Sequence, residues 1–203
     1  MNTNKGIMHN NSPPKSKRSN KASTLIEMIG VLAVIAILAA LLIPKIFQAI
    51  SSARINGAAG ACATVKTATA DYYAKNGSLG TATNNFCSAL MAAGFLDKQF
   101  DTKISTGNSV QAIAAAGAVV PDGNLSAYAL STILTNDVPS GLVVEAVMTG
   151  VAAADAMALS QLIDGTTMTA TTTLLPDLLG RVHYAAAGTP GDPVVVHVYL
   201  TSR

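Results

Sequence analysis

Tryptophan is absent from this 203-residue chain, and only 12% of its residues are charged. So few charges leave no basic surface on which a nucleic acid could be neutralised, and no nucleic-acid partner is expected. Half of the residues are hydrophobic, which excludes a disordered chain and suffices for one main domain with a real core. Catalytic signatures are missing as well. No HExxH helix, Walker loop, GxSxG elbow or GxGxxG turn occurs, and of the three histidines, His9, His183 and His197, the last two have no Cys, Asp or Glu at metal-ligand spacing. His183 and His197 fall on expected strands and read as solvent-facing. Asp122-Gly123-Asn124 and Asp164-Gly165 read as turns, and neither spaces oxygen ligands as a calcium loop does. The expectation is a protein that is not an enzyme and holds no cofactor.

What the chain does have is one long apolar run. From Met28 to Ile43 there are sixteen residues with no charge and no strong hydrogen-bonding side chain. As a helix they span about 24 Å, and counting from Leu25 to Phe47 gives enough length for a hydrocarbon core of about 30 Å. A single carboxylate, Glu27, opens this run. A carboxylate inside a membrane helix is costly and marks function, with a partner supplying the compensating charge. The local alternative is a capping box, because Thr24-Leu25-Ile26-Glu27 fits S/T-x-x-E.

The charge distribution points the same way. The net charge is +2, yet residues 1–22 carry Lys5, Lys15, Lys17, Arg18 and Lys21 with no acid, leaving about −3 from Ser23 onward. A basic block just ahead of an apolar helix keeps that end cytoplasmic. An ordinary secretory signal peptide, cut after the apolar run near Ala49-Ile50-Ser51, is the rival reading. Against it, the run is long for such a core, and the residues after Pro44 continue in a helical pattern.

Ala22-Ser23-Thr24-Leu25-Ile26-Glu27, followed by the apolar helix, resembles the prepilin signal of type IV pilins and type II secretion pseudopilins. Cleavage between Ala22 and Ser23 makes Glu27 the fifth mature residue and Pro44 the twenty-second, both family habits. The sequence departs from the pattern in having Ala22 where the family has Gly and Ser23 where it has Phe or Met. The resemblance covers residues 21–54. It implies removal of a leader at 1–22 by a prepilin peptidase and methylation of the Ser23 amine. It implies an assembly role for Glu27 and Pro44, with Glu27 pairing with the Ser23 amine of its own chain or of a neighbour. It further implies a subunit that polymerises with itself or with other pilins, served by assembly machinery in the bacterial inner membrane. Such a subunit would lie in that membrane before assembly and in a periplasmic or cell-surface filament afterwards. Some pseudopilins bind calcium in the head, but no residue here maps onto such a site. A membrane-anchored extracytoplasmic binding protein that does not polymerise is the alternative.

Beyond Pro44, Ile46, Phe47, Ile50, Ala53, Ala58, Ala61, Cys62, Val65, Ala68, Thr69 and Tyr72 recur at three- and four-residue steps. This spacing predicts one helix from about Thr24 to Ala74, loosened at Pro44 and ended by Asn76-Gly77. The division is then leader 1–22, membrane and assembly helix 23–47, amphipathic continuation 48–76 and head 77–203. Tyr72-Tyr73-Ala74-Lys75-Asn76-Gly77 resembles the segment closing the long helix in several pseudopilins. In the head, a short helix is expected at Asn85–Ala93, and loop with a possible strand at Lys103–Val120. Strands are expected at Ala127–Leu134 and Leu142–Met148, then a helix at Val151–Ile163 and a loop or edge strand at Thr166–Thr173. Paired strands are expected at Arg181–Ala185 and Val194–Leu200. The fold class is α+β, a long N-terminal helix on an antiparallel pilin-like head. Cys62 and Cys87 are the only cysteines. In an oxidising compartment they would bridge, closing a loop of roughly 25 residues worth about 3 kcal/mol; the alternative is two small buried thiols.

Overall fold

The computed structural model describes residues 21–81, 83–114, 130, 141–189 and 191–203, with the side chains of 21–23 left aside. The expected strand at Ala127–Leu134, the turn at Asp122-Gly123-Asn124 and the leader residues 1–20 therefore lie outside the described residues. The chain divides into two compact units, Met1–Ile46 and Phe47–Arg203.

Helix α1 runs over Lys21–Asn76 without a break, Pro44 included. Its first part is apolar on every side. Its later part is one-sided, because Ile55, Ala58, Cys62, Val65, Ala68 and Thr69 are buried at helical spacing. The expected stripe reached further back, but Ile46, Phe47 and Ile50 are 46%, 69% and 43% exposed. Ser51, whose hydroxyl donates to Asp155 Oδ1 at 3.3 Å, and Ile55 are where the packed face begins. Thr69 is buried without loss because its hydroxyl donates to the Val65 carbonyl at 2.8 Å. The helix stops at Gly77, whose φ of 71° a side chain would resist and whose N–H donates to the Tyr73 carbonyl at 2.8 Å.

Helix α2, Phe86–Ala92, is capped by Asn85, whose side chain accepts from the Ser88 N–H, and ends at Gly94. It sends Phe86, Cys87 and Leu90 into the core. Tyr72 of α1 meets Phe86 and Phe95 edge-on, at centroid distances of 5.7 and 5.8 Å.

Four antiparallel strands follow: β1 at Gly107–Ala114, β2 at Leu142–Ala152, β3 at Val182–Tyr184 and β4 at Pro193–Ser202, in spatial order β1-β2-β4-β3. The expected pairing of the last two strands is present, with His183 opposite His197. The possible strand after Lys103 is β1. Val151 belongs to β2 rather than to the helix expected there. A register shift between Met148 and Val151 lets Val151 pair with Val194 and Ala152 with Pro193. Helix α3 therefore starts later and covers Ala153–Asp164. Residues 166–173 form turns, not an edge strand.

One face of the sheet, with Val110, Ala112, Val144, Ala146, Met148, Val182, Tyr184, Val196 and Val198, shares a core with α1, α2 and α3. The opposite face is buried in part: Val143, Glu145 and His183 are at most 1% exposed, while Val195 is 39% exposed. The outer strands each receive a one-residue bridge from a loop, Thr83 to Ala112 and Asp177 to Tyr184. The whole is α+β, a long N-terminal helix with a four-stranded antiparallel sheet.

Candidate functional site

The first half of α1 carries the residues singled out in the sequence. Every large apolar residue from Leu25 to Ile50 is at least 43% exposed, and this helix is long and apolar enough to cross a membrane. Ala22 and Ser23 lie in its first turn and Glu27 in the next. In the full chain the helix is already formed at Lys21, three residues before Thr24, whereas a chain cut before Ser23 would place Thr24 in its first turn. Glu27 has no ion-pair partner among the described residues, and it borders a shallow groove with Gly30, Val31, Val34 and Ile35. Pro44 sits inside the helix and cannot donate to the Ala40 carbonyl, so one helical hydrogen bond is missing there.

Cys62 and Cys87 are both buried and free, so the structure holds the arrangement of two small buried thiols and not the bridge. Each has its own surroundings. Cys87 Sγ accepts the Phe100 N–H at 3.3 Å, and burial pushes the Cys62 thiol up to about 12, partly offset by the charge of Arg181. A thiol so shielded is a poor nucleophile. Alkylation of the native chain without reductant is expected to label neither cysteine, and alkylation after unfolding to add two labels by mass. A denatured, unreduced chain that takes no label would restore the bridge.

The two strand histidines do not face solvent. His183 is 1% exposed with Nε2 2.9 Å from the Gly180 carbonyl, and His197 Nδ1 stands 3.2 Å from Glu145 Oε1. Gln111 Nε2 donates to the same carboxylate oxygen. Glu145, Gln111 and His197 come from three adjacent strands and share the second face. The sequence reading missed this cluster. Its available signal was a single charge inside the apolar run Leu142–Met148, and such a charge must be paired when the strand is buried on both faces.

A second polar joint ties α3 to β3 and the segment before it. Asp164 Oδ2 accepts the backbone N–H groups of Arg181 and Val182, both at 2.8 Å, while Arg181 Nε approaches Oδ1 at 3.4 Å. A Cβ on Gly180, at φ 82°, would fall 2.6 Å from the Asp164 carboxyl, so glycine is required there. Asp177 Oδ2 accepts the Ser160 hydroxyl at 2.6 Å, and Asp177 exchanges backbone hydrogen bonds with Tyr184. Ser160 and Asp177 are 0% and 2% exposed, so this hydroxyl–carboxylate pair is closed to a substrate. A hollow of about 530 Å³ lies between α1 at Gly57–Val65 and the loop at Phe95–Asp101, and its charged residues Asp97, Lys98 and Asp101 are exposed. No group of three or more His, Cys, Asp or Glu among the described residues is placed to hold a metal.

Burial moves two neighbouring groups in opposite directions. It pushes the Asp177 carboxyl from 3.8 up to about 6 and pulls the His183 imidazole from 6.5 down to about 4. Between pH 3.8 and 6 the folded chain keeps an Asp177 proton that the unfolded chain loses, so this residue's contribution to stability falls as pH rises. Between pH 6.5 and 4 the unfolded chain gains a proton that His183 refuses, so this residue's contribution falls as pH drops. The two slopes oppose each other. Asp177→Asn is expected to expose a loss of about 1–2 kcal/mol on acidification from pH 6.5 to 4, and His183→Gln a loss of similar size on raising pH from 4 to 6. Denaturant midpoints at four pH values check both, and parallel profiles for the two variants would contradict the assignment.

The fold and this site define an α+β protein whose N-terminal helix is apolar enough to be compatible with membrane anchoring. Comparison of the chain with protein-family models, with curated proteins and with solved structures yields no match.

Proposed function

We propose that the chain is a structural subunit, a pilin or pseudopilin, that polymerises through its N-terminal helix into a type IV pilus or a type II secretion pseudopilus. The observation that carries this reading is the first half of α1: apolar on all sides, exposed throughout, and interrupted by one carboxylate at Glu27. Such a surface needs a solvent other than water. Lipid serves before assembly, and copies of the same helix serve in a filament, so the subunit can wait in the membrane until it is extracted. A simple membrane anchor accounts for the apolar surface but gives no reason to keep a carboxylate in it. In this reading a prepilin peptidase cuts between Ala22 and Ser23, the Ser23 amine is methylated, and the subunit passes from the inner membrane into a periplasmic or surface filament.

Mass spectrometry of the mature N-terminus, combined with shearing of cells for filaments, tests the proposal. The expected chain begins at Ser23, carries one added methyl group and appears in the sheared fraction. A chain beginning near Ser51, or assembled protein that retains its leader, would overturn it.

A further inference from the structure

Gly30 has no explanation inside its own chain. Glycine is the poorest helix former after proline, and this one sits inside an apolar helix, near the start of its run of Ala, Val, Leu and Ile. It ends no helix, and no heavy atom lies within 4 Å of the position its Cβ would take. It is also the only glycine between Ser23 and Pro44, as Glu27 is the only charge. The two are three residues apart, on one face of α1, and border the same groove.

We propose that Gly30 is a notch that lets the first turn of a second copy of this chain approach the Glu27 carboxylate closely. The inference rests on the assembly reading above. Val31, Val34 and Ile35, each 55–58% exposed, stand around the carboxylate and would hold a facing helix away. A missing side chain at Gly30 opens one flank, as small residues do where apolar helices meet backbone to backbone. The occupant follows from charge. A carboxylate that stays ionised in apolar surroundings is stabilised by a cation at contact distance. Between Ser23 and Pro44 the chain has no Lys, Arg or His, so the amine created at Ser23 by cleavage is the positive charge that a neighbour's helix can deliver there.

The test expresses Gly30→Ala and Gly30→Leu, each as the sole copy, and quantifies leader cleavage, membrane pool and sheared filament. Both substitutions favour the helix, so cleavage and membrane pool are expected to stay at wild-type levels and a filament defect cannot be a folding defect. Filament yield is expected to fall a few-fold for Gly30→Ala and roughly tenfold or more for Gly30→Leu. Ala36→Leu, about 180° around the helix from Glu27, is expected to keep most of the yield. Wild-type yield from Gly30→Leu, or an equal loss from Ala36→Leu, overturns the notch while leaving the assembly reading in place. Absence of filaments from the wild-type chain overturns the assembly reading itself.

Discussion

Cells carrying Glu27→Gln as the only copy are expected to cleave the leader and fill the membrane normally, yet to release at least about tenfold less sheared filament. Removing a carboxylate from an apolar segment favours insertion, so the membrane pool should be unchanged or larger. In the filament the same change leaves a buried ammonium, that of Ser23, without its partner, and an uncompensated buried charge costs several kcal/mol at each junction. A purely local role predicts something different. Loss of a helix cap costs about 1 kcal/mol and leaves polymerisation intact. In the full chain the helix already extends to Lys21, but a chain cut before Ser23 would place Thr24 in the first turn, where it could cap, so filament yield decides between the two roles. Immunoblots of sheared and membrane fractions separate the outcomes, and normal filament yield from cleaved Glu27→Gln would remove the pairing role.

Phe86→Ala is expected to destabilise the head by about 3–5 kcal/mol, enough to lower its melting temperature by roughly 10 °C. Phe86 is 1% exposed at the start of a two-turn helix, and its ring meets Tyr72 edge-on. Truncation removes the apolar area, the ring contact and the wedge that seats α2. Its neighbours Cys87 and Leu90 are fixed by the same core and cannot close the gap. Met91→Ala, on the same helix but 39% exposed, should cost less than about 1 kcal/mol. Near-UV circular dichroism during thermal unfolding in detergent measures both, and equal losses would show that α2 is not seated through Phe86.

Helix α1 was legible because two local signals agree over a long stretch, an unbroken apolar run and then three- and four-residue spacing. Helix α2 was legible through its ends, Asn85 and Gly94. The pairing of β3 and β4 could be read from Val182 and Tyr184 and the β-branched run at Val194–Val198 on either side of a turn. What stayed hidden depends on tertiary arrangement. Val151 and Ala152 read as helix because a register shift in β2 cannot be seen before its partner strand is known. His183 and His197 read as solvent-facing because the burial of the sheet's second face belongs to the whole fold. Ile55 was passed over because the point where the head first meets α1 is set by Asp155, about a hundred residues away. For Ala22, Ser23 and Glu27 only spacing could speak: the proposed processing cut and contact between copies would leave no mark on the packing of one chain.

The single-residue bridges on the outer strands bear on behaviour in a crowd. An open strand edge recruits whatever extended backbone diffuses past, and slow stitching of sheet to sheet is how many dense protein stores become insoluble. Here Ala112 exchanges hydrogen bonds with Thr83 at 2.7 and 2.8 Å, and Tyr184 does so with Asp177 at 2.9 and 3.0 Å. At these two positions an incoming strand would have to displace a segment of the same chain before it gained a hydrogen bond. At these two edge positions, sheet-to-sheet knitting between heads is therefore opposed by the chain's own backbone.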